Sequence, residues 1–189
     1  MRDYIIMTDS CCDLSQQEVE ELDLTVLPLS FTIEGKTLLN TPDHADLSPE
    51  EFFKKIAEGA DCTTAAVNVG QFTDAMEKVL DEGKDILCIC FSSALSTTYQ
   101  SACIAASDLR EKHPGAKIIV IDSLSASRGQ GMLLYRTVRE RREKGLDIDA
   151  LASYVDSIIQ SQDHWFFVDD LNHLKRGGRV SATAALVGT

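Results

Sequence analysis

The chain has 189 residues, 44% hydrophobic and 25% charged, enough for an ordinary globular core in one domain or one domain with an appendage. With 30 acidic against 18 basic residues the formal net charge is -12, a field that repels nucleic acid and anionic membrane surfaces. The only dense basic run, residues 136–144 (RTVRERREK), is interrupted by Glu140 and Glu143 and reads as a solvated, salt-bridged helix face, so neither a nucleic-acid partner nor stable membrane insertion is expected.

Along the chain, Tyr4 to Met7 reads as a first strand, followed by Thr8, Asp9 and Ser10. Asp13 or Ser15 then caps a helix through about Leu22. Thr25 to Ile33 is expected as a second extended segment, with Glu34, Gly35 and Lys36 as a turn into Thr37 to Leu39. Ser48, Pro49, Glu50 and Glu51 form an N-cap with proline at the first helical position and glutamate at the third, starting a helix that Gly59 ends. Asp61 to Asn68 reads as a loop. Phe72, Ala75, Met76, Val79 and Leu80 recur at helical spacing over Gln71 to Glu82, and Gly83 closes that helix before a strand from Ile86 to Phe91. A hydroxyl-rich loop opens the next helix, through about Lys112. Lys117 to Ile121 is a strand ending in Asp122 and Ser123, helices follow over about Ser127 to Lys144 and Asp149 to Gln160, and a last strand is expected at Trp165 to Val168. The alternation predicts an α/β fold with a mainly parallel sheet flanked by helices.

The segment with most chemistry is Phe91 to Cys103, FSSALSTTYQSAC. A buried strand opening into a helix leaves unpaired N–H groups and a positive dipole end, to which Ser92, Ser93, Ser96, Thr97 and Thr98 add neutral donors. Together they make a seat for an anion. Asp9-Ser10 and Asp122-Ser123 also follow the carboxyl ends of predicted strands, the edge at which an open parallel sheet binds ligands. Taken singly, each aspartate is a helix cap or turn residue.

Six cysteines show no zinc spacing, the chain opens on no secretory apolar stretch, and reduced thiols in the cytoplasm are expected. Cys88 and Cys90 alternate within a strand and share one sheet face. Cys11 and Cys12 have no flanking base to lower a thiol pKa. The four histidines are scattered, so no metal site and no cofactor is expected. Neither a GxGxxG nor a GxxxxGK loop is present, and no serine has a base nearby in sequence. Three readings stay open on the residues alone: neutral donors for the carboxylate of an otherwise apolar ligand, a cradle at residues 92–98 for a phosphorylated small molecule in an α/β enzyme or binding protein, or a well-capped helix whose hydroxyls bond only backbone.

The motifs IIMTDSCCDL, FSSALSTTYQSA, VIDSLSASRGQG and VDDLNHLKRGGRVSATAA, in that order, resemble the DegV family, whose members carry VTDSTSDL, ISSxLSGTYQSA, VxDSxSxSxGxG and LxxLxKGGRIS. The resemblance spans Thr8 to Ala185. It implies a lipid-binding, non-catalytic protein that holds a long-chain fatty acid in an apolar tunnel and presents its carboxylate to a separate ATP-dependent fatty acid kinase subunit, which forms an acyl phosphate for lipid metabolism. The family's carboxylate ligands, a threonine of TSQPS and a serine of LSGTY, correspond to Thr64 and Ser96, with Ser93 and Thr97 beside the second. Arg179 matches the arginine of GGRIS, which faces the kinase. Asp9, Ser10, Asp122 and Ser123 are assigned to building the strand-end loops.

Two departures stand out. TSQPS is TAAVN here, with Ala65 and Asn68 in place of serines, and the glycine after the key serine is Thr97. Family chains also run on by roughly another domain, so the expectation is a ligand-loop domain over residues 1–163 and the start of a truncated second domain over 164–189. The missing half would close over the acyl chain.

Overall fold

The computed structural model describes residues 2–165. In chain order these form β1 (Tyr4–Asp9), a single 3-10 turn (Ser10–Cys12), α1 (Gln16–Leu22), β2 (Leu24–Leu27), β3 (Ser30–Ile33), β4 (Lys36–Leu39), α2 (Pro49–Ala57), β5 (Cys62–Ala65), α3 (Val69–Asp81), β6 (Asp85–Cys90), α4 (Thr98–Lys112), β7 (Ile118–Asp122), α5 (Ser127–Lys144) and α6 (Ile148–Ile159). β2, β1, β6 and β7 lie side by side in that order, all parallel. Every residue of β6, DILCIC, is buried, as a central parallel strand covered on both faces requires.

The sheet separates two apolar layers by strand parity. Leu87 and Ile89 face Leu133, Leu134, Leu151 and Val155 of α5 and α6, while Ile86, Cys88 and Cys90 face Phe72 and Met76 of α3 and Ala105 and Leu109 of α4. Cys88 and Cys90 do share a face, with their sulfurs 3.5 Å apart. The α/β architecture read from the sequence is the architecture observed.

Local chemistry sets most boundaries. Ser15, rather than Asp13, caps α1 in a reciprocal capping box with Glu18. Ser48 caps α2, with Pro49 in its first turn. Asn68 and Gln71 form a second box at the start of α3.

Two expectations need correction. Thr25 to Ile33 is not one strand: Pro28 breaks it, β2 joins the parallel sheet, and β3 begins an antiparallel sheet of order β4-β3-β5. Asp61 to Asn68 is not simply a loop, because Cys62 to Ala65 pair with β3 from Ile33↔Cys62 to Ser30↔Ala65. Thr63, Thr64 and Ala65 are exposed, so this strand has no apolar alternation by which to recognise it. The small sheet packs against α2 through an edge-to-face contact of Phe31 and Phe52, ring centroids 5.4 Å apart.

After α6 the chain returns to the start of α5. Gln162 Nε2 donates to the Gly129 carbonyl at 2.5 Å, and the His164 ring lies 3.2 Å from Ser125 Oγ. Trp165 is 91% exposed and in no strand. The remainder of the expected strand to Val168, the segment carrying Arg179 and nearly all of the expected second unit lie outside the described residues. No described helix is long and apolar enough to cross a membrane.

Candidate functional site

The carboxyl ends of β1, β6 and β7 carry three loops that are zipped together by buried polar groups. Asp9 is fully buried; its Oδ2 accepts Phe91 N–H at 2.7 Å and its Oδ1 accepts Cys11 N–H at 3.1 Å. Asp122 Oδ1 accepts the N–H groups of Ser93 and Leu124, each at 3.1 Å. Ser123 Oγ accepts Ser125 N–H at 3.1 Å, and Ser92 N–H reaches the Ser125 carbonyl at 3.1 Å. Ser10 Oγ accepts Leu29 N–H at 3.0 Å, which roots the small sheet at the end of β1. These bonds satisfy the buried polar groups of the loops, as burial demands.

The small sheet brings Thr64 to this edge. Ala65 pairs with Ser30 and Thr64 with Phe31, two residues beyond the Leu29–Ser10 bond. Strand β5 then runs through buried Val67 to Asn68 at the start of α3. The connection from α3 to β6 is short and α3 packs on both β6 and α4, so the first turns of α3 and α4 share the edge. Ser96 precedes α4 on the loop that Asp9 anchors through Phe91.

The hydroxyls of this edge divide into two classes. Thr8, Ser10, Ser92, Ser123, Ser125 and Thr98 are at least 95% buried and internally bonded. Thr98, expected among the ligand donors, is 1% exposed and therefore turned inward. By contrast Thr64 and Thr97 are exposed and Ser93 is half-buried, and none of their side chains makes a hydrogen bond among the described residues. Ser96 Oγ, half-buried, accepts Thr98 N–H at 3.2 Å. Ser96 is thus one residue outside the helix boundary; Thr97 holds the cap position without a side-chain cap bond, leaving first-turn N–H groups open.

Neither departure from the family motifs distorts the edge. Thr97 has φ -83, outside the left-handed region, so its side chain adds no backbone strain. Asn68 replaces a serine with an equally good cap. The apolar part of the edge was not legible beforehand: Leu95 and Leu124 are 41% and 48% exposed at the loop tips. A shallow groove lined by Tyr99, Ile119, Asp122, Leu124 and Ile159 runs along β7.

Positive charge is sparse in these loops. The stretches 9–13, 64–70, 91–98 and 122–127 contain no lysine, arginine or histidine. Burial pushes the thiols of Cys11 and Cys12 up, the latter to about 11, so neither is a thiolate at neutral pH. The neighbouring Cys103 side chain and burial push Tyr99 up to about 12, and it stays a neutral phenol. No cluster of metal-ligating side chains exists among the described residues.

Burial also raises the Asp9 carboxyl, against the lowering effect of the Phe91 and Cys11 N–H groups. A raised folded value means the native state holds this proton more tightly than the unfolded chain. The stability it contributes is then present below the unfolded value and lost as pH rises through the folded one. Asp9→Asn removes one N–H acceptor and costs about 1–3 kcal/mol, and the gap between wild type and variant is expected to narrow as pH rises from 3.5 to 7. Urea midpoints across that range check it; a gap that widens contradicts the assigned burial.

Comparison with known proteins bears on this geometry. A family model described as "Uncharacterised protein, DegV family" matches residues 4–189. A DegV domain-containing protein of Clostridium perfringens is 40% identical over 189 residues, covering 100% of this chain and 64% of the relative, and one of Lactococcus lactis is 40% identical over 186 residues, covering 98% and 64%. The chain thus spans 64% of the length of these curated relatives. Among solved structures, a stearic acid-binding protein from Eubacterium ventriosum superposes with a TM-score of 0.87 at 30% identity over 98% of this chain and 64% of that one. A DegV family protein from Thermus thermophilus, described for its fatty acid binding, gives 0.83 at 33% identity over 100% and 64%.

Proposed function

The chain belongs to the DegV family, and from that membership we propose that it binds a long-chain fatty acid and presents the carboxylate to a separate, ATP-dependent fatty acid kinase subunit in the cytoplasm, without catalysing a reaction itself. Thr64 and Ser96 donate to the carboxylate, Ser93 and Thr97 flank it, and Arg179 faces the kinase. Asp9, Ser10, Asp122 and Ser123 hold the loops that carry these donors.

The observation that carries this reading is the chemistry of the edge: exposed neutral hydroxyls and open helix N–H groups, beside Leu95 and Leu124, in loops without a cation. A monoanionic carboxylate on an apolar chain suits such donors, since no charged side chain needs desolvation. Phosphate, with up to two charges, is ordinarily clamped by arginine, lysine or a glycine-rich loop, and these loops supply none. The support from solved neighbours is that they bind fatty acids in the same fold.

The test is one of ligand class. Stearic acid carried on cyclodextrin should raise the melting temperature of the full-length protein in a saturable way, as any ligand specific for the native state does, while inorganic phosphate and glucose 6-phosphate should not. Stabilisation by the phosphates alone would reverse the assignment.

A further inference from the structure

Ser96 and Thr98 form a closed pair. Their hydroxyl oxygens lie 3.0 Å apart, and Thr98 N–H donates to Ser96 Oγ at 3.2 Å. A serine hydroxyl has two lone pairs and one proton. One lone pair of Ser96 Oγ is taken by the Thr98 amide, so the direction of the hydroxyl–hydroxyl bond decides what the residue can offer.

That direction is set by burial. Thr98 is 1% exposed, and Ser96 Oγ is the sole partner of its hydroxyl among the described residues. Were Ser96 the donor, the Thr98 proton would be buried without an acceptor, at a cost of about 1–3 kcal/mol. With Thr98 donating, both lone pairs of Ser96 are filled and its own proton points out of the turn, toward the half-exposed side of the residue.

We propose that Thr98 is a positioning residue that commits Ser96 to act as a donor only, so that the edge selects head groups that accept hydrogen bonds, carboxylates above all, over head groups that only donate them, such as an alkylammonium. This rests on the reading of Ser96 as a carboxylate donor. Thr98 touches no ligand and acts through Ser96. The buried hydroxyl works as a selectivity device.

The experiment compares stearic acid and octadecylamine, protonated at neutral pH, binding to full-length wild type, Thr98→Val and Thr98→Ser by cyclodextrin competition. Wild type should prefer the acid. In Thr98→Val, Ser96 regains a free lone pair that an ammonium can donate to, so the acid-to-amine affinity ratio should fall about tenfold, the scale of one hydrogen bond to a charged group. Thr98→Ser keeps the hydroxyl and should keep the ratio. The ratio is taken within one protein, so a loss of stability shared by both ligands cancels; should the valine variant fail to fold, Thr98→Ala carries the same comparison. An unchanged ratio in the hydroxyl-free variants overturns the inference while leaving fatty acid binding intact. No binding of stearic acid by wild type overturns the functional reading, and the inference with it.

Discussion

Replacing Thr64 and Ser96 together by alanine is expected to weaken long-chain fatty acid binding about a hundredfold, from two donors worth about 1.5 kcal/mol each to a carboxylate. The two residues sit on separate elements, a strand of the small sheet and the loop before α4, and the single variants should each cost about tenfold. Stability should change little in Thr64→Ala and fall in Ser96→Ala. Thr64 is exposed and its hydroxyl makes no hydrogen bond among the described residues, whereas Ser96→Ala removes the acceptor of both the Thr98 N–H and the buried Thr98 hydroxyl, a loss of about 1–3 kcal/mol. Titration of each variant, paired with its urea midpoint, checks both halves. A double variant that binds as tightly as wild type removes these residues from the site.

The second large effect concerns the scaffold. Gly131 lies inside α5, where glycine costs about 1 kcal/mol relative to alanine, yet a Cβ there would sit 2.8 Å from the Cys12 carbonyl oxygen and 3.0 Å from Leu14 Cδ2. The carbonyl belongs to the 3-10 turn that Asp9 caps, so the obstacle is anchored backbone rather than a flexible side-chain tip. Helix and turn must separate to admit a branched side chain, opening the layer that Leu133, Leu134 and Leu14 fill. Gly131→Val is expected to cost about 3 kcal/mol or more from overpacking, read as a lower urea midpoint with an unchanged slope. Gly131→Ala should also destabilise despite its helix propensity. A stabilised alanine variant would show that the turn yields easily.

Much of this was legible from residue spacing. Parallel strands announced themselves as short apolar runs, Ile86 to Phe91 above all, and helix starts by caps at Ser15 and Ser48. What stayed hidden had no periodic signal. Strand β5 is solvent-facing and held by backbone pairing to β3, so Cys62 to Ala65 resembled a loop, and Pro28 was needed to separate β2 from β3. In the candidate site, the sequence marked a cluster of hydroxyls without telling inward from outward. Ser92 and Thr98 turn in and Ser93 and Thr97 do not, a distinction set by how the loop folds over Asp9 and Asp122, and invisible to composition. The reason for glycine at position 131 likewise appears only when α5 meets the 3-10 turn.

The most direct test of fatty acid binding is denaturing extraction and mass spectrometry of the lipid that co-purifies with the full-length protein, alongside the Thr64→Ala, Ser96→Ala variant. A near-stoichiometric long-chain acid in wild type, lost from the variant, is the result expected. A wild-type protein that carries no fatty acid, and takes none up when it is supplied, would contradict the account.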